Sequence, residues 1–260
     1  MTSPLPLAGR RIIVTRPREQ AAGLAALIRR AGGEPLDIPA LEIRELEDLA
    51  PFHSVIERLD SFDAAIFVSR NAVRRTFALI GGRPWPAQLR VAAMGNGSRD
   101  ELASHGIMDA IAPSGQADSE ALLAMPEFSG VAGKRIAIFR GEGGRTLLGD
   151  TLAARGALIE DAACYRRAKP AQSAALLAAA WERGKVDAVM VSSGEGLVNL
   201  LEMLGTEGPR RLGASALFVP HPRVAVDAVR KGLKRPIVSG PGDAETVAAL
   251  VAYFGGASYK

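Results

Sequence analysis

The sequence predicts an α/β protein made of two flavodoxin-like, parallel-sheet lobes that arose by internal duplication and are joined by two extended linkers. Short apolar runs alternate with helix-like segments along the chain, which is typical of a parallel sheet covered by helices on both faces. The pattern also repeats, because the segments that start at Arg11 and Asp63 return 124 residues later, at Arg135 and Asp187. Two related lobes with loops at matching places predict one ligand-binding cleft between them.

The first repeat opens with a buried strand over residues 12–15, where β-branched residues dominate. A helix over 24–31 follows, because apolar residues recur there at the spacing i, i+3, i+4 and i+7. Gly32 and Gly33 end this helix. Residues 37–43 are predicted to form a second extended segment.

The rest of the chain follows the same alternation. A capping box from Ser98 to Glu101 predicts a helix that opens at Ser98. The other elements of the first half are strands over 64–69, 90–94 and 109–112 and helices over 72–79 and 119–125. In the second half, strands are predicted at 136–139, 188–192, 217–220 and 236–239, and helices near 147–155, 174–183, 196–204, 224–231 and 244–254.

Two extended segments occupy equivalent places in the halves and are interpreted as crossover linkers. Pro39 and Pro170 suit such linker positions. The prediction is therefore a discontinuous first lobe, a second lobe and two linkers, at residues 1–38 with 169–260, at 45–162, and at 39–44 and 163–168.

The amino-acid composition and net charge of the chain exclude several classes of protein. The chain has 260 residues, 48% hydrophobic and 23% charged, as in a globular protein with real cores. A net charge of +4 from dispersed basic residues, with 5% aromatic residues, argues against a nucleic-acid surface. No apolar run approaches the ~18–20 residues of a membrane helix, and the start lacks a signal-peptide pattern. The single cysteine, Cys164, excludes an intrachain disulfide, and a reducing cytoplasm is the expected location.

Seven short strings occur along the chain in a fixed order: VTRP, FVSRNAV, VAAMGNGS, RIAIFRGEGGR, YRR, VSSGEGL and FVPHPRVA. In their order and spacing they resemble the uroporphyrinogen-III synthase family, and the resemblance covers residues 11–254. It implies two α/β lobes, the first of them discontinuous, joined by two extended linkers with the substrate in the cleft.

The resemblance also implies a reaction. The family's substrate is hydroxymethylbilane, a linear tetrapyrrole with eight carboxylates. Loss of its terminal hydroxyl gives an azafulvene, attack at the substituted carbon of the last ring gives a spiro intermediate, and reclosure inverts that ring. Because the substrate also cyclises spontaneously without inversion, the enzyme acts mainly by positioning. No cofactor or metal is expected, and the expected partner is hydroxymethylbilane synthase, which would hand the substrate over transiently to a monomeric enzyme.

Helix N-termini, arginine side chains and hydroxyl groups bind carboxylates, and the loops that follow the predicted strands contain all three. Some of these residues also have explanations that involve no substrate. Ser98 could be an ordinary N-cap and the glycines turn residues, and a structural role for His221 is as plausible as a functional one. The candidate substrate-binding residues are Thr15, Arg16, Ser69, Asn71, Gly95, Ser98, Arg140, Gly141, Ser192, Ser193, Gly194, His221 and Arg223.

Tyr165 is the candidate catalytic residue. It matches the tyrosine that the family carries on its second linker, facing the cleft. Its phenol could donate a proton to the departing hydroxyl, whereas packing of the ring at the linker would explain it without a catalytic role. Because conformational control needs no single indispensable group, loss of Tyr165 is expected to slow the reaction without abolishing it.

Some features depart from the family's pattern or leave alternatives open. Val68 precedes Ser69 where members commonly have a Thr–Ser pair, and Ser98 stands where a Thr is common. A non-catalytic tetrapyrrole-binding or regulatory relative stays open, as does a two-lobed small-ligand-binding protein of periplasmic type. A Ser-His-Asp hydrolase and a zinc enzyme are disfavoured, because the sequence has no GxSxG elbow and no suitably spaced zinc ligands.

Overall fold

A computed structural model describes residues 4–115, 118–240 and 242–256. The chain divides into two compact units: unit 1 contains Met1–Glu42 and Ala168–Lys260, and unit 2 contains Ile43–Arg167. Unit 1 is therefore discontinuous in sequence. The ends of the predicted first lobe, at residues 1–3 and 257–260, lie outside the described residues.

The described residues form ten strands and eleven α-helices. The strands are β1 (Arg11–Val14), β2 (Glu34–Asp37), β3 (Glu42–Arg44), β4 (Ala64–Phe67), β5 (Arg90–Ala93), β6 (Arg135–Gly141), β7 (Leu158–Ala168), β8 (Ala188–Met190), β9 (Ala216–Val219) and β10 (Ile237–Val238). The helices are α1 (Arg18–Arg30), α2 (Ala50–Glu57), α3 (Arg70–Ile80), α4 (Asn96–Ser104), α5 (Ser119–Leu123), α6 (Leu147–Ala154), α7 (Ser173–Glu182), α8 (Gly194–Leu204), α9 (Gly208–Gly213), α10 (Pro222–Arg230) and α11 (Asp243–Phe254).

Unit 1 contains a five-stranded sheet in the order β10-β9-β8-β1-β2, in which neighbouring strands pair in parallel. Counted along the chain this order is 2-1-3-4-5, the flavodoxin-like arrangement. Alternate residues of β1 face opposite sides of the sheet. Ile12 and Val14 pack with α1 and α11, whereas Ile13 packs with α7, α8 and α10. Both faces of the sheet are thus covered by helices.

Unit 2 contains a second five-stranded sheet, in the order β3-β7-β6-β4-β5, and β7, β6, β4 and β5 pair in parallel. Phe67 and Phe139 lie opposite each other in β4 and β6 and pack towards α2 and α3. Ile66 and Ile138, one residue earlier, pack towards α5 and α6 on the other face. The predicted α/β class with parallel sheets is confirmed. No helix of the described part of the chain is long and apolar enough to cross a membrane.

Two sequence predictions of extended structure were wrong in detail. Residues 37–43 are not one segment, because β2 and β3 belong to different sheets. Residues 109–112 form only a single bridge, between Ala92 and Ile111. Residues 163–168, predicted as an extended linker, form the second half of β7, where Ala163 and Tyr165 pair with β6.

Candidate functional site

The carboxyl edge of the unit 2 sheet brings Tyr165 and Ser69 together. Ser69 has an extended backbone and N-caps α3, and its Oγ accepts a hydrogen bond of 3.1 Å from the Ala72 N–H. The Tyr165 hydroxyl lies 3.0 Å from the same Oγ, and Tyr165 is only 2% exposed. The buried phenol is therefore held at the N-terminus of a helix, where the backbone N–H groups favour negative charge.

Gly141 ends β6 directly against the Tyr165 ring. A Cβ atom at this position would lie 2.7 Å from Cε2 and 2.8 Å from Cζ of Tyr165. The φ of Gly141 is not in the left-handed region, so space rather than backbone conformation requires the glycine. Gly141 is thus a residue over which the phenol packs.

Arg140 braces the glycine-rich loop that follows β6. Its guanidinium donates hydrogen bonds to the carbonyls of Gly143 (2.8 Å) and Arg145 (3.0 Å) and lies 3.4 Å from the Asp161 carboxylate. The side chain is 13% exposed. These partners give Arg140 a structural reason to be present, independent of any substrate.

The N-terminus of α4 lies after β5, at the same edge of the unit 2 sheet. Its N-cap is Gly95, so the prediction that this helix opens at Ser98 was wrong. Ser98 is the third residue of α4, buried, and its N–H binds the Gly95 carbonyl at 3.0 Å. The capping-box pattern failed because the helix starts almost as soon as β5 ends, and an extended glycine can also cap.

Arg70 is a cation at this edge that the sequence analysis did not single out. Its Nε donates to the carbonyl of Gly97 at 3.2 Å, and a Cβ atom on Gly97 would lie 2.6 Å from its guanidinium. Arg70 thereby links the first turn of α3 to that of α4, close to the half-buried Asn71. The signal was present in the string FVSRNAV, where the arginine follows Ser69.

In unit 1 the corresponding cap is Ser193. Its Oγ accepts from the Gly196 N–H at 3.0 Å, and Gly194 is the first residue of α8. Ser192 precedes it in the loop after β8. Thr15, at the end of the neighbouring β1, is fully buried, and its hydroxyl donates to the Met190 carbonyl at 2.8 Å.

The remaining candidates of unit 1 also have structural partners. His221 N-caps α10, and its Nδ1 accepts from the Arg223 N–H at 3.1 Å, while both side chains are exposed. Arg16 forms an ion pair with Asp243. Across the residues that the structure describes, no group of three or more His, Cys, Asp or Glu side chains could hold a metal ion.

Comparison with known proteins identifies the family. The family model described as uroporphyrinogen-III synthase HemD matches residues 22–252. The chain belongs to the uroporphyrinogen-III synthase family. It is 34% identical over 191 residues to the uroporphyrinogen-III synthase of Salmonella typhimurium, covering 73% of this chain and 78% of that protein. It is 32% identical over 195 residues to that of Escherichia coli, covering 74% and 79%.

Solved structures with the same fold carry the same family name. A uroporphyrinogen III synthase from the extremely thermophilic bacterium Thermus thermophilus matches with a TM-score of 0.66 at 18% identity, covering 93% of this chain and 97% of that chain. One from Helicobacter pylori matches with a TM-score of 0.60 at 15% identity, covering 94% and 99%. The resemblance drawn from the seven ordered strings to the uroporphyrinogen-III synthase family is thus confirmed.

Proposed function

We propose that this protein is a uroporphyrinogen-III synthase, a lyase that dehydrates and cyclises hydroxymethylbilane and inverts the last pyrrole ring through a spiro intermediate. The observation that carries the proposal is the Tyr165 hydroxyl, 3.0 Å from Ser69 Oγ at the N-terminus of α3, in a chain that belongs to this family. This is a buried proton donor of the kind that departure of the substrate's hydroxyl requires.

Four helix N-termini support a substrate rich in carboxylates. In unit 2, α3 and α4 begin directly after β4 and β5, and in unit 1, α8 and α10 begin directly after β8 and β9. The backbone N–H groups at the start of a helix bind anions without a dedicated cation. Each unit by itself thus offers positions at which carboxylates of the bilane are held while the chain folds before it closes.

Tyr165 acts at the first chemical step. It donates its phenolic proton to the terminal hydroxyl, the carbon–oxygen bond breaks, and water leaves. The N–H groups at the start of α3 stabilise the phenolate that remains. Deprotonation after ring closure returns a proton to it. The choice between inverted and non-inverted product then depends on how the bound chain is folded, which is catalysis by positioning.

An isomer assay tests the proposal. Hydroxymethylbilane is generated in place with hydroxymethylbilane synthase, the products are oxidised, and uroporphyrin I is separated from uroporphyrin III. We expect mostly isomer III at catalytic protein concentrations. Isomer I alone, formed at the spontaneous rate, would overturn the proposal, and tight binding of porphyrinogens without turnover would then favour a non-catalytic tetrapyrrole-binding relative.

Tyr165→Phe separates the role of the phenol from the rest of the site. Because positioning survives in this variant, isomer III should remain the main product while kcat falls by about 10²-fold, the lower end of what a positioned general acid contributes. An unchanged kcat would show that Tyr165 does not transfer the proton, while the proposed cyclisation of hydroxymethylbilane would still stand. Wild-type KM for the bilane is expected in this variant, since no carboxylate contact is lost.

A further inference from the structure

The pairing of β6 with β7 contains a β-bulge one residue before Tyr165. The two strands run in register from Arg135 opposite Leu158 to Arg140 opposite Ala163. The next pair is Gly141 opposite Tyr165, so no residue of β6 lies opposite Cys164. Bulges of this kind bend a strand and re-aim the side chain that follows.

The bulge changes which face of the sheet the side chains of β7 occupy. In a regular strand successive side chains alternate between the faces. Here Cys164 and Tyr165, which are neighbours in sequence, are both buried, at 0% and 2% exposure, and both pack in the core that contains Phe67 and Phe139. The extra residue is therefore what allows the Tyr165 ring to turn towards Gly141 and α3.

The Cys164 thiol ties the bulge to both of its neighbours. Its Sγ lies 3.3 Å from the carbonyl oxygen of Arg140 and 3.6 Å from that of Ala72. Burial raises the pKa of this thiol to about 11, so it keeps its proton and can donate it to either carbonyl. One neighbour is the last regular residue of β6, and the other lies in the first turn of α3.

These contacts close a ring that ends at the phenol. The Cys164 thiol binds the Ala72 carbonyl, the Ala72 N–H binds Ser69 Oγ, and Ser69 Oγ binds the Tyr165 hydroxyl. Tyr165 is itself bonded to Cys164 along the chain. A shift of the bulge would therefore move the hydroxyl relative to Ser69, and a side chain at Gly141 would push the ring directly.

We propose that the bulge at Cys164 and the missing side chain at Gly141 set the position of the Tyr165 hydroxyl, so that Cys164 and Gly141 are positioning residues for the reaction. The catalytic consequence rests on the proposed function, because it requires that Tyr165 take part in the chemistry. The geometric part does not depend on that role and can be measured without substrate.

The direct test uses protein labelled with ¹³C at the Cζ atom of tyrosine, whose chemical shift responds to hydrogen bonding of the hydroxyl. Loss of one signal in Tyr165→Phe assigns Tyr165 among the three tyrosines of the chain. We expect Gly141→Ala and Cys164→Ala to move this signal and to leave the other two in place. An unmoved Tyr165 signal in both folded variants would overturn the proposal.

Gly149→Ala is the matched control for Gly141→Ala. Gly149 lies within α6 of the same unit, and a Cβ atom there makes only ordinary contacts of 3.8 Å with Ile138 and Ile159. This variant should leave the Tyr165 signal and the kcat for isomer III unchanged. Cys164→Ala keeps the proposal testable if Gly141→Ala does not fold, because it removes a single buried sulfur atom.

Kinetics then test the catalytic consequence. We expect Gly141→Ala to lower kcat by about tenfold or more, a part of the ~10²–10⁴-fold effect of a positioned general acid, with KM changed less than about twofold. In the Tyr165→Phe background the same substitution should have no further effect on kcat. An equal loss in both backgrounds would contradict positioning through Tyr165. If Tyr165→Phe alone leaves kcat unchanged, the role of Tyr165 in the proposed function fails, and the NMR signal still decides the geometry.

Discussion

Units 1 and 2 place different side chains at equivalent points of a similar strand plan. Six of the eight phenylalanines belong to unit 2, where Phe67 and Phe139 stack with ring centroids 4.7 Å apart. The position 124 residues before Phe139 is Thr15 in unit 1, which is equally buried but donates its hydroxyl to the Met190 carbonyl. The end of the first strand of each repeat therefore accommodates either an aromatic core residue or a buried polar one. The residues that pack around this position differ between the units.

Each unit carries one tryptophan, so the units can be followed separately. Trp85 belongs to the aromatic cluster of unit 2, with its ring 5.9 Å from that of Phe139. Trp181 belongs to unit 1, and Arg211 lies over its ring at 5.9 Å. Variants that keep only one tryptophan report the urea transition of one unit, which matters because a chain with two units need not unfold in a single step.

Phe139→Ala should produce the largest difference between the units. It removes a fully buried ring that contacts Phe52, Phe67 and Trp85. A buried Phe→Ala change costs about 3–5 kcal/mol, and the loss should appear in the transition reported by Trp85. Thr15→Ala, at the equivalent position, is the control and should cost less. An equal shift in the transition reported by Trp181 would show that both units unfold as one block.

The second comparison concerns an aspartate that lies just before β8 in unit 1 and just before β4 in unit 2, at equivalent positions of the two repeats. Asp187 accepts the Arg11 N–H at 3.1 Å and an N–H of the Arg10 side chain at 3.0 Å. Its counterpart Asp63 accepts the Arg135 N–H at 2.9 Å and pairs with Lys134 at 2.9 Å. The Asp187 side chain is 7% exposed and the Asp63 side chain 41%. The same hydrogen bonds are thus made under different solvent access.

Asp187→Ala should therefore destabilise unit 1 more than Asp63→Ala destabilises unit 2. The loss of a buried, charged hydrogen-bond acceptor costs about 1.5–3 kcal/mol, whereas solvent replaces much of what the exposed carboxylate provides. Urea titrations of the two single-tryptophan backgrounds give both values. Equal losses would mean that burial of this carboxylate does not matter.

The same residue predicts a pH dependence. Burial by itself would raise the pKa of Asp187, but the Arg11 N–H, together with Arg10 and Lys185, lowers it below the ordinary value of 3.8. A carboxyl whose pKa is depressed on folding stabilises the protein above that ordinary value, and this contribution is lost as the pH falls through the folded pKa. Unit 1 should therefore weaken below about pH 4, and Asp187→Ala should flatten that part of the curve.

The sequence predicted elements whose signal is local and missed those that depend on distant partners. The apolar spacing of Leu24 and Ile28 correctly placed one face of α1 in the core. The contact between Ser69 and Tyr165 joins residues 96 positions apart, and no spacing rule encodes it. The pairing of Ala163 and Tyr165 in β7 with Arg140 and Gly141 in β6 likewise joins residues that are distant in sequence. Pairing across a sheet is decided by packing of the whole unit.

The two serine N-caps, one in each unit, should differ by a smaller amount in their contribution to stability. Ser69 and Ser193 have nearly the same φ, −163° and −164°, and each accepts the N–H of the residue three positions later. Loss of either cap should cost about 1 kcal/mol. Ser69→Ala should cost about 0.5–1.5 kcal/mol more than Ser193→Ala, because it also removes the partner of the Tyr165 hydroxyl.

A double-mutant cycle isolates that extra term. In the Tyr165→Phe background, Ser69→Ala should cost no more than Ser193→Ala does, since the shared hydrogen bond is already gone. The free energy of unfolding is measured with Trp85 for Ser69 and with Trp181 for Ser193. A coupling free energy of zero between Ser69 and Tyr165 would show that their hydrogen bond does not stabilise the unit.

Thr15→Val should have the smallest effect and still separate two roles for Thr15. The substitution keeps the shape of the buried side chain and deletes the hydroxyl that binds the Met190 carbonyl. That carbonyl also accepts the Thr15 N–H at 3.1 Å, so it is not left without a donor. The cost should therefore be about 0.5 kcal/mol, the low end for one hydrogen bond. If the hydroxyl serves only the sheet, KM for hydroxymethylbilane stays unchanged. A raised KM with unchanged stability would instead assign Thr15 to substrate binding, in contrast to Phe139, its counterpart in unit 2, which has no hydroxyl to offer.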